Sequence, residues 1–429
     1  MHDPRFLREH RDVVRAGVLK KAGAEPEQLA RFWTLEEERL ALLAEADALK
    51  QKRNQASEEI ARLKKEGGDA TARIAAMKGV SDRIKELDDR LRVVEADSEE
   101  AAAWIPNLPH DSVPEGRDST ANVEVARWGT LRTFDFTPKP HWEVAAALGI
   151  IDFERGPKLA GAGFPLFVGD GARLVRALID YMLDLHVEKH GYTEVHPSIV
   201  INSKSLRGTG QLPKMAEDMY HIAEDDLWLN PTAEVPVTNI HRDEILEPGV
   251  IPRLLTAYCP SFRREAGAYG KDTRGLYRVH QFTKVEQVIF CAPDEEVAEK
   301  EHYQLLANAE AILAKLEIPY RVAIACTGEI GLGQTRKHEV ESWMPGRKAY
   351  SETHSCSTLG DFQARRSNIR LRLADGSLGY PYTLNNTAIA SPRILIPLLE
   401  NHQNDDGSVT IPKALRPYLG GVDVIRPKR

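Results

Sequence analysis

The chain has 429 residues, 42% of them hydrophobic and 28% charged. At roughly one to two hundred residues per domain, this length predicts two or three domains with ample core, and the composition excludes wholesale disorder. A net charge of -7 argues against indiscriminate polyanion binding without excluding a locally basic face, and no run reaches the roughly 18 apolar residues of a membrane span.

The first residues run at once into Arg8-Glu9-His10-Arg11-Asp12, so they offer no apolar signal-peptide core. Cys259, Cys291, Cys326 and Cys356 lie far apart and form no C-x-x-C pair, which removes the usual zinc-ribbon and thioredoxin signatures. Free thiols in a cytoplasmic protein are the expectation.

From about residue 27 to 101 the pattern is that of a coiled coil. Leu35, Leu42, Leu49, Ala56 and Leu63 recur every seven residues, with Arg39, Ala46, Arg53 and Ile60 four positions behind. After Gly67-Gly68-Asp69, a second stripe runs through Met77, Val80, Ile84, Leu87, Leu91, Val94 and Ala101. The glycine pair can end one helix, and a short connection favours antiparallel packing, so a helical hairpin about 45 Å long is predicted. Dimerisation or simple spacing would explain such an arm. Nucleic-acid contact is the alternative, since Lys50, Lys52, Arg62, Lys64, Lys65, Lys78, Lys85 and Arg92 lie outside the seam among acidic neighbours.

Ile105 to Gly116 holds three prolines, which stop a helix and favour extended chain. The predicted organisation is therefore 1–104 with its arm, a linker over 105–119, and a second domain over 120–429. In that domain Ala172–Lys189 and Glu295–Leu316 read as helices, and Val288–Phe290 and Tyr320–Ile324 as strands. The mixture lacks regular strand–helix alternation, so an α+β fold is expected.

Familiar catalytic signatures are missing. Gly328 and Gly333 have P-loop spacing, but Gln334-Thr335 stand where Lys-Ser/Thr is required. Gly161-Ala162-Gly163 lacks the rest of a dinucleotide fingerprint, and there is neither a G-x-S-x-G elbow nor an H-E-x-x-H helix. The informative stretch is Phe262-Arg263-Arg264-Glu265-Ala266-Gly267, continuing to Arg274, Tyr277-Arg278-Val279-His280-Gln281-Phe282 and Glu286. Guanidinium forks match phosphate oxygens and an aromatic ring can stack a base. If Tyr277 to Gln287 is a strand, Arg278 and Glu286 share a face. A hairpin with surface salt bridges is the plain alternative.

These residues resemble motif 2 of the class II aminoacyl-tRNA synthetases, and the whole chain resembles the seryl-tRNA synthetases of bacterial type. Pro197, within Glu194-Val195-His196-Pro197, is similar to the motif 1 proline. Thr383-Leu384-Asn385-Asn386-Thr387, with Arg393 and Leu398-Leu399-Glu400-Asn401-His402-Gln403, resembles motif 3. Gly208 to Pro213, Thr232-Ala233-Glu234, Glu352 to Ser357 and Asp361 to Arg366 are similar to segments specific to the serine enzymes.

The resemblance implies a class II antiparallel sheet flanked by helices, a coiled-coil arm for tRNA and a homodimer without membrane contact. It implies activation of L-serine by ATP and transfer to tRNA-Ser, with the selenocysteine tRNA as a further acceptor. By the same resemblance, Arg263 holds the α-phosphate and the serine carboxylate, with Arg264 beside it. Glu265 lies near the adenine or its ribose-phosphate end, the Val279 backbone reads the base, Phe282 stacks on it and Arg393 covers the other side while reaching the γ-phosphate. Glu352, Thr353, His354 and Ser355 complete the ATP site, Glu352 and Ser355 as ligands of Mg²⁺. Thr232, Ala233, Glu234, Glu286 and Thr387 form the serine pocket, with turn capping the plain alternative for Thr232 and Thr387.

Two departures stand out. Asn386-Thr387 replaces the more usual Gly-Ser, and Pro392 replaces a glycine before Arg393. Two other readings compete: an enzyme handing activated serine to another acceptor, which need not keep a long arm, and a coiled-coil protein with an inactive synthetase-like domain. The last is expected to lose Arg263, Glu286 or Arg393, and all three are present.

Overall fold

The computed structural model describes residues 1–266 and 274–427. Gly267, the last residue of the Phe262 run, lies outside the described residues. The chain divides into two compact units, one of His2–Leu19 and Gly23–Pro106, the other of Met1, Lys20–Ala22 and Asn107–Arg429.

The first unit holds α1 (Pro4–Glu9), α2 (Arg11–Leu19), α3 (Pro26–Lys65) and α4 (Thr71–Trp104). The last two form the expected hairpin. Gly67 adopts a left-handed φ of 76°, and Gly68 N–H returns to Leu63 O at 2.9 Å, which closes α3. Ile84, Leu87 and Val94 are buried, and Leu35, Leu42, Leu49, Ala56 and Leu63 are half-buried. Arg39 lies in the seam and donates to the buried Glu36 at 2.8 Å. Arg31–Asp97, Arg90–Glu38, Arg83–Glu45 and Lys50–Asp88 stitch the helices at 2.6 to 2.9 Å. Exposed pairs of this kind contribute only about 0.2–1 kcal/mol each, so the apolar seam holds the hairpin together. Among the described residues, Lys52, Lys64, Lys65, Lys78 and Lys85 have no carboxylate within 4 Å.

The second unit is built on an eight-stranded sheet. Its strands are β1 (Val123–Trp128), β2 (Thr193–Val195), β3 (Arg253–Phe262), β4 (Gln281–Cys291), β5 (Tyr320–Ile324), β6 (Arg336–Met344), β7 (Ala349–Gly360) and β8 (Tyr382–Ser391). They lie in the order β1-β5-β6-β7-β8-β4-β3-β2, antiparallel except for β2 on β3. The three helices that matter here are α5 (Asp170–Glu188), α6 (Glu295–Lys315) and α7 (Leu395–His402). Leu174, Leu178 and Met182 of α5 and Leu305, Ile312 and Leu313 of α6 share one core with Val285, Ile289 and Leu384 of the sheet. The pleat sends Phe282, Lys284 and Glu286 to the opposite face. This is the α+β class II architecture. All four cysteines are buried free thiols.

One expectation is corrected. The strand predicted from Tyr277 begins only at Gln281. Residues before it send their amides outside the sheet: Leu276 N–H to His141 Nε2 at 3.0 Å and His280 N–H to Gly163 O at 2.9 Å. Strand alternation therefore does not relate Arg278 to Glu286.

Three histidines are buried between the helices and the sheet. His302 Nε2 lies 2.7 Å from His338 Nδ1, and His186 Nδ1 is 3.2 Å from Gln287 Nε2. Burial lowers all three: His186 to about 3, helped by His190, His338 to about 4, helped by Arg336, and His302 well below its ordinary value. Below about pH 6.5 the unfolded chain takes up protons that these folded sites refuse, so stability falls with pH, by on the order of 1–2 kcal/mol per histidine at pH 5. The carboxyls raised by burial, Glu234, Glu286, Glu301, Glu310 and Glu339, work in the opposite sense and offset part of that fall. The urea midpoint is expected to drop steadily from pH 7.5 to 5; a constant midpoint would contradict neutral burial.

Candidate active site

A cavity of about 140 Å³ opens on the sheet face carrying Phe282 and Lys284. Arg263, Glu265, Tyr277, Arg278, Val279, Phe282 and Lys284 wall it from the β3–β4 side. Glu352, Thr353, His354, Ser355, Thr387, Pro392 and Arg393 wall it from β7, β8 and the turn into α7.

Two register shifts make this wall possible. Side chains three apart on a regular strand point to opposite faces. On β7, Glu352 pairs with Glu341 and Ser355 with Glu339, so Thr353 is an extra residue and Glu352 and Ser355 share a face. On β8, Thr387 pairs with Glu286 and Ala390 with Lys284, so Ala388 is extra and Thr387 and Ala390 line the same cavity. The back face pins the second shift: Asn386 Nδ2 donates to Gln287 Oε1 at 2.8 Å, directly across the ladder.

The cationic groups are held individually. The Arg263 guanidinium lies 5.2 Å from the Phe282 ring centroid, and its Nε donates to Pro231 O at 3.3 Å. Arg393 donates to Tyr277 O at 3.0 Å and to Glu352 O at 3.3 Å, with the Glu352 carboxylate 3.7 Å away. Glu265 sits in the left-handed region at φ 50°, a strained backbone for a non-glycine, and receives Arg278 at 2.8 Å. The buried Glu400 supports this bend. It accepts from His141 Nδ1 at 3.0 Å, and His141 Nε2 in turn accepts the Leu276 amide. That second bond fixes the imidazole proton on Nδ1.

Behind the cavity two carboxylates are buried together. Lys284 Nζ lies 2.9 Å from Glu286 Oε2 without hydrogen-bond geometry, so among the described residues that oxygen has no directed donor. Burial pushes Glu286 up to about 7; Lys284 opposes the shift and Glu234 adds to it. Glu234 is also raised by burial and accepts from Gln363 Nε2 at 2.6 Å.

Most of the expected site converges, but five residues stand apart. Thr232 Oγ1 accepts the Glu234 amide at 3.4 Å, a capping contact. Ala233 packs into an apolar cluster with Ala257 and Val288. Neither, nor Glu234 or Glu286, is on the cavity's surface, although both carboxylates lie close behind Lys284 and Arg263. Arg264 is also off the wall, and its amide binds Asp218 O at 2.7 Å.

Glu352 and Ser355 offer one carboxylate and one hydroxyl on a common face. Glu352 is also a charge that, after burial, raises Glu339, so two carboxylates lie close together there. Among the described residues no three His, Cys, Asp or Glu side chains form a metal cage. Such a hard, incomplete oxygen set suits Mg²⁺, which takes one or two carboxylates and completes its shell with water and phosphate.

Sequence reasoning gave no role to Lys284 or Gln363. Lys284 was discoverable, lying two residues from both Phe282 and Glu286 on one strand face; Gln363 reaches Glu234 only through the fold.

An antiparallel sheet whose β3–β4 hairpin brings arginines and an aromatic to one cavity is the core of a class II tRNA synthetase. In agreement, the family described as "tRNA synthetase class II core domain (G, H, P, S and T)" matches residues 219–402, and "Seryl-tRNA synthetase N-terminal domain" matches residues 1–109. The serine–tRNA ligase of Nitratidesulfovibrio vulgaris is 49% identical over 427 residues, covering 99% of this chain and 100% of that protein. That of Geotalea uraniireducens is 50% identical over 426 residues, with the same coverage. The crystal structure of seryl-tRNA synthetase from Pyrococcus horikoshii complexed with ATP superposes with a TM-score of 0.94 at 35% identity, covering 100% of both chains. This chain belongs to the seryl-tRNA synthetase family.

The buried carboxylates make a testable pair. Lys284→Met should raise the Glu286 carboxyl by more than one pH unit and Glu234→Gln should lower it. Side-chain carbonyl NMR titration of Glu286 reads both; shifts in the same direction would contradict the arrangement.

Proposed function

We propose that the protein is a serine–tRNA ligase. It activates L-serine with ATP to seryl-adenylate and passes the seryl group to the terminal adenosine of tRNA-Ser, with the selenocysteine tRNA as a second acceptor. The observation that carries this reading is the convergence of Arg263, Phe282, Thr387 and Arg393 on one cavity, with Glu286 buried behind its wall and paired across the ladder with Thr387. Family membership and the arm support it.

In this reading the adenine lies between Phe282 and Arg393, with Glu265 and the Val279 backbone at its edge. Arg263 draws the serine carboxylate and the α-phosphate together, so the work is positioning and charge neutralisation. Thr353 and His354 shape the wall between Glu352 and Ser355, which would hold Mg²⁺; the ion would neutralise phosphate charge. Glu286, Thr387, Thr232 and Glu234 receive the serine hydroxyl and ammonium, and Ala233 packs the turn beneath them. Arg264 acts from outside the cavity wall, through its neighbour Arg263. The Glu286 oxygen that faces Lys284 without a directed hydrogen bond is the acceptor that such a substrate completes. A pocket that binds a hydroxyl on both sides rejects alanine, because its own polar groups would be left unpaired.

Residues 1–104 serve as the tRNA-binding domain, 105–119 as linker and 120–429 as the catalytic domain. The enzyme works in the cytoplasm as a homodimer. Lys52, Lys64, Lys65, Lys78 and Lys85, without carboxylate partners within 4 Å among the described residues, are the arm cations available to phosphates.

Serine-dependent ATP–pyrophosphate exchange, followed by tRNA charging, tests the function. Glu286→Ala should raise the serine KM at least about tenfold while the ATP KM changes little; equal effects on both would remove Glu286 from the pocket. Since Glu286 in the free enzyme takes a proton near pH 7, kcat/KM for serine should fall as pH drops below 7, by up to about tenfold per unit. A profile flat to pH 6 would speak against its role. Deleting residues 35–98 should leave exchange intact and abolish charging; full charging by the shortened protein would defeat the assignment of the arm.

A further inference from the structure

Glu286 and Glu234 lie close together behind the cavity, but different chemistry holds each of them. Glu286 faces a cation, Lys284 Nζ, 2.9 Å from its Oε2. Glu234 is held by neutral partners. Gln363 Nε2 donates to Glu234 Oε1 at 2.6 Å, and the Asn385 side chain supplies a further hydrogen bond. Among the described residues, Lys284 and Arg263 act on Glu234 through charge alone.

The Gln363 amide has little freedom. It is 1% exposed and sits near the start of the short helix Phe362–Arg366, flanked by the buried Phe362 and Ala364. Ser367 N–H returns to Gln363 O at 2.9 Å and closes that helix. Gln363 Oε1 accepts from Thr383 Oγ1 of β8 at 2.9 Å, and Nε2 also reaches Thr209 O at 3.4 Å. Turned over, the amide would set its oxygen against the Glu234 carboxylate and the Thr209 carbonyl, acceptor against acceptor, so its orientation is fixed. Thr209, Gln363 and Thr383, far apart in sequence, thus meet at one carboxylate.

Neutral donors orient a carboxylate without cancelling its charge, whereas a lysine or arginine in the same place would do both. A carboxylate held in this way is a ready receptor for a small cation. It favours a ligand that carries an ammonium over the same ligand without one, since the second would leave the charge unpaired. We propose that Gln363 is a positioning residue for the serine ammonium: it aims the Glu234 carboxylate and leaves its charge to the substrate. This rests on the serine pocket proposed above. Selection for the amino group then depends on an amide that lies outside the cavity wall.

The test uses the full-length enzyme with two variants. Gln363→Met keeps the side-chain length and loses every hydrogen bond; Gln363→Glu keeps the acceptor for Thr383 and loses the donor to Glu234. In both, the serine KM should rise about tenfold while the ATP KM stays within about twofold. Two inhibitors separate positioning from packing: seryl sulfamoyl adenosine, and its counterpart made with hydroxypropanoate, alike except for the ammonium. Gln363→Met should weaken the first about tenfold and the second less than about twofold. For Gln363→Glu, the serine kcat/KM relative to the unaltered enzyme should climb as the pH is lowered, because the new carboxyl, once protonated, again donates to Glu234. If the methionine variant does not fold, this pH ratio decides alone. An unchanged serine KM, a parallel rise in the ATP KM, equal weakening of both inhibitors or a flat pH ratio would overturn the proposal. If Glu234→Gln itself leaves the serine KM unchanged, the pocket reading fails first and takes the proposal with it, and the two failures are thereby distinguished.

Discussion

The strand pleat is the constraint on which the site depends. An antiparallel sheet presents alternate residues to each face, yet the cavity takes Glu352 with Ser355 and Thr387 with Ala390, each pair an odd number of residues apart. One extra residue in β7, Thr353 on the cavity wall, and one in β8, Ala388 in the core behind it, resolve the conflict. A slip of one residue would turn Thr387 away from Glu286 and send a wall residue into the core. The Asn386–Gln287 bond on the back face is well placed to prevent it. The asparagine that departs from the family's commonest motif 3 wording thus has a local physical role in this chain.

Electrostatics follow from the same geometry. The arginines sit on the cavity wall, where each is fixed by a carbonyl, a ring or a carboxylate, and so need little rearrangement to meet an anion. The carboxylates lie deeper, raised by burial and only partly relieved by Lys284. Guanidiniums on the cavity wall and carboxylates buried behind it are therefore separated, the arrangement that the proposed alignment of nucleotide and serine needs. Glu400, far along the sequence from either end, ties the β6–β7 turn and the Leu276 bend to a single buried carboxylate.

Much of this was readable in the sequence, for physical reasons that differ by region. The arm was legible because a heptad is a local signal: Leu35 to Leu63 and Met77 to Ala101 declare their own seam. Helices α5 and α6 begin and end within two residues of expectation because their apolar periodicity is unbroken. The Tyr277–His280 segment is not strand because the Leu276 amide before it and the His280 amide at its end are claimed by His141 and Gly163, partners distant in sequence. The shared face of Glu352 and Ser355 could not be deduced from spacing, since a bulge is fixed by pairing between strands. Motif resemblance supplied those residues where periodicity could not. Ala233 shows the converse: its neighbours in sequence point to the site, but its methyl packs into the core.

The central claim is that one continuous cavity aligns a nucleotide and serine. A crystal structure with a non-hydrolysable seryl-adenylate analogue tests it most directly. The account predicts adenine between the Phe282 ring and the Arg393 guanidinium, the sulfonyl or phosphoryl group on Arg263, and the serine hydroxyl or ammonium within about 2.6–3.2 Å of Glu286. An analogue seated elsewhere, or bound there with Glu286 out of reach, would contradict it.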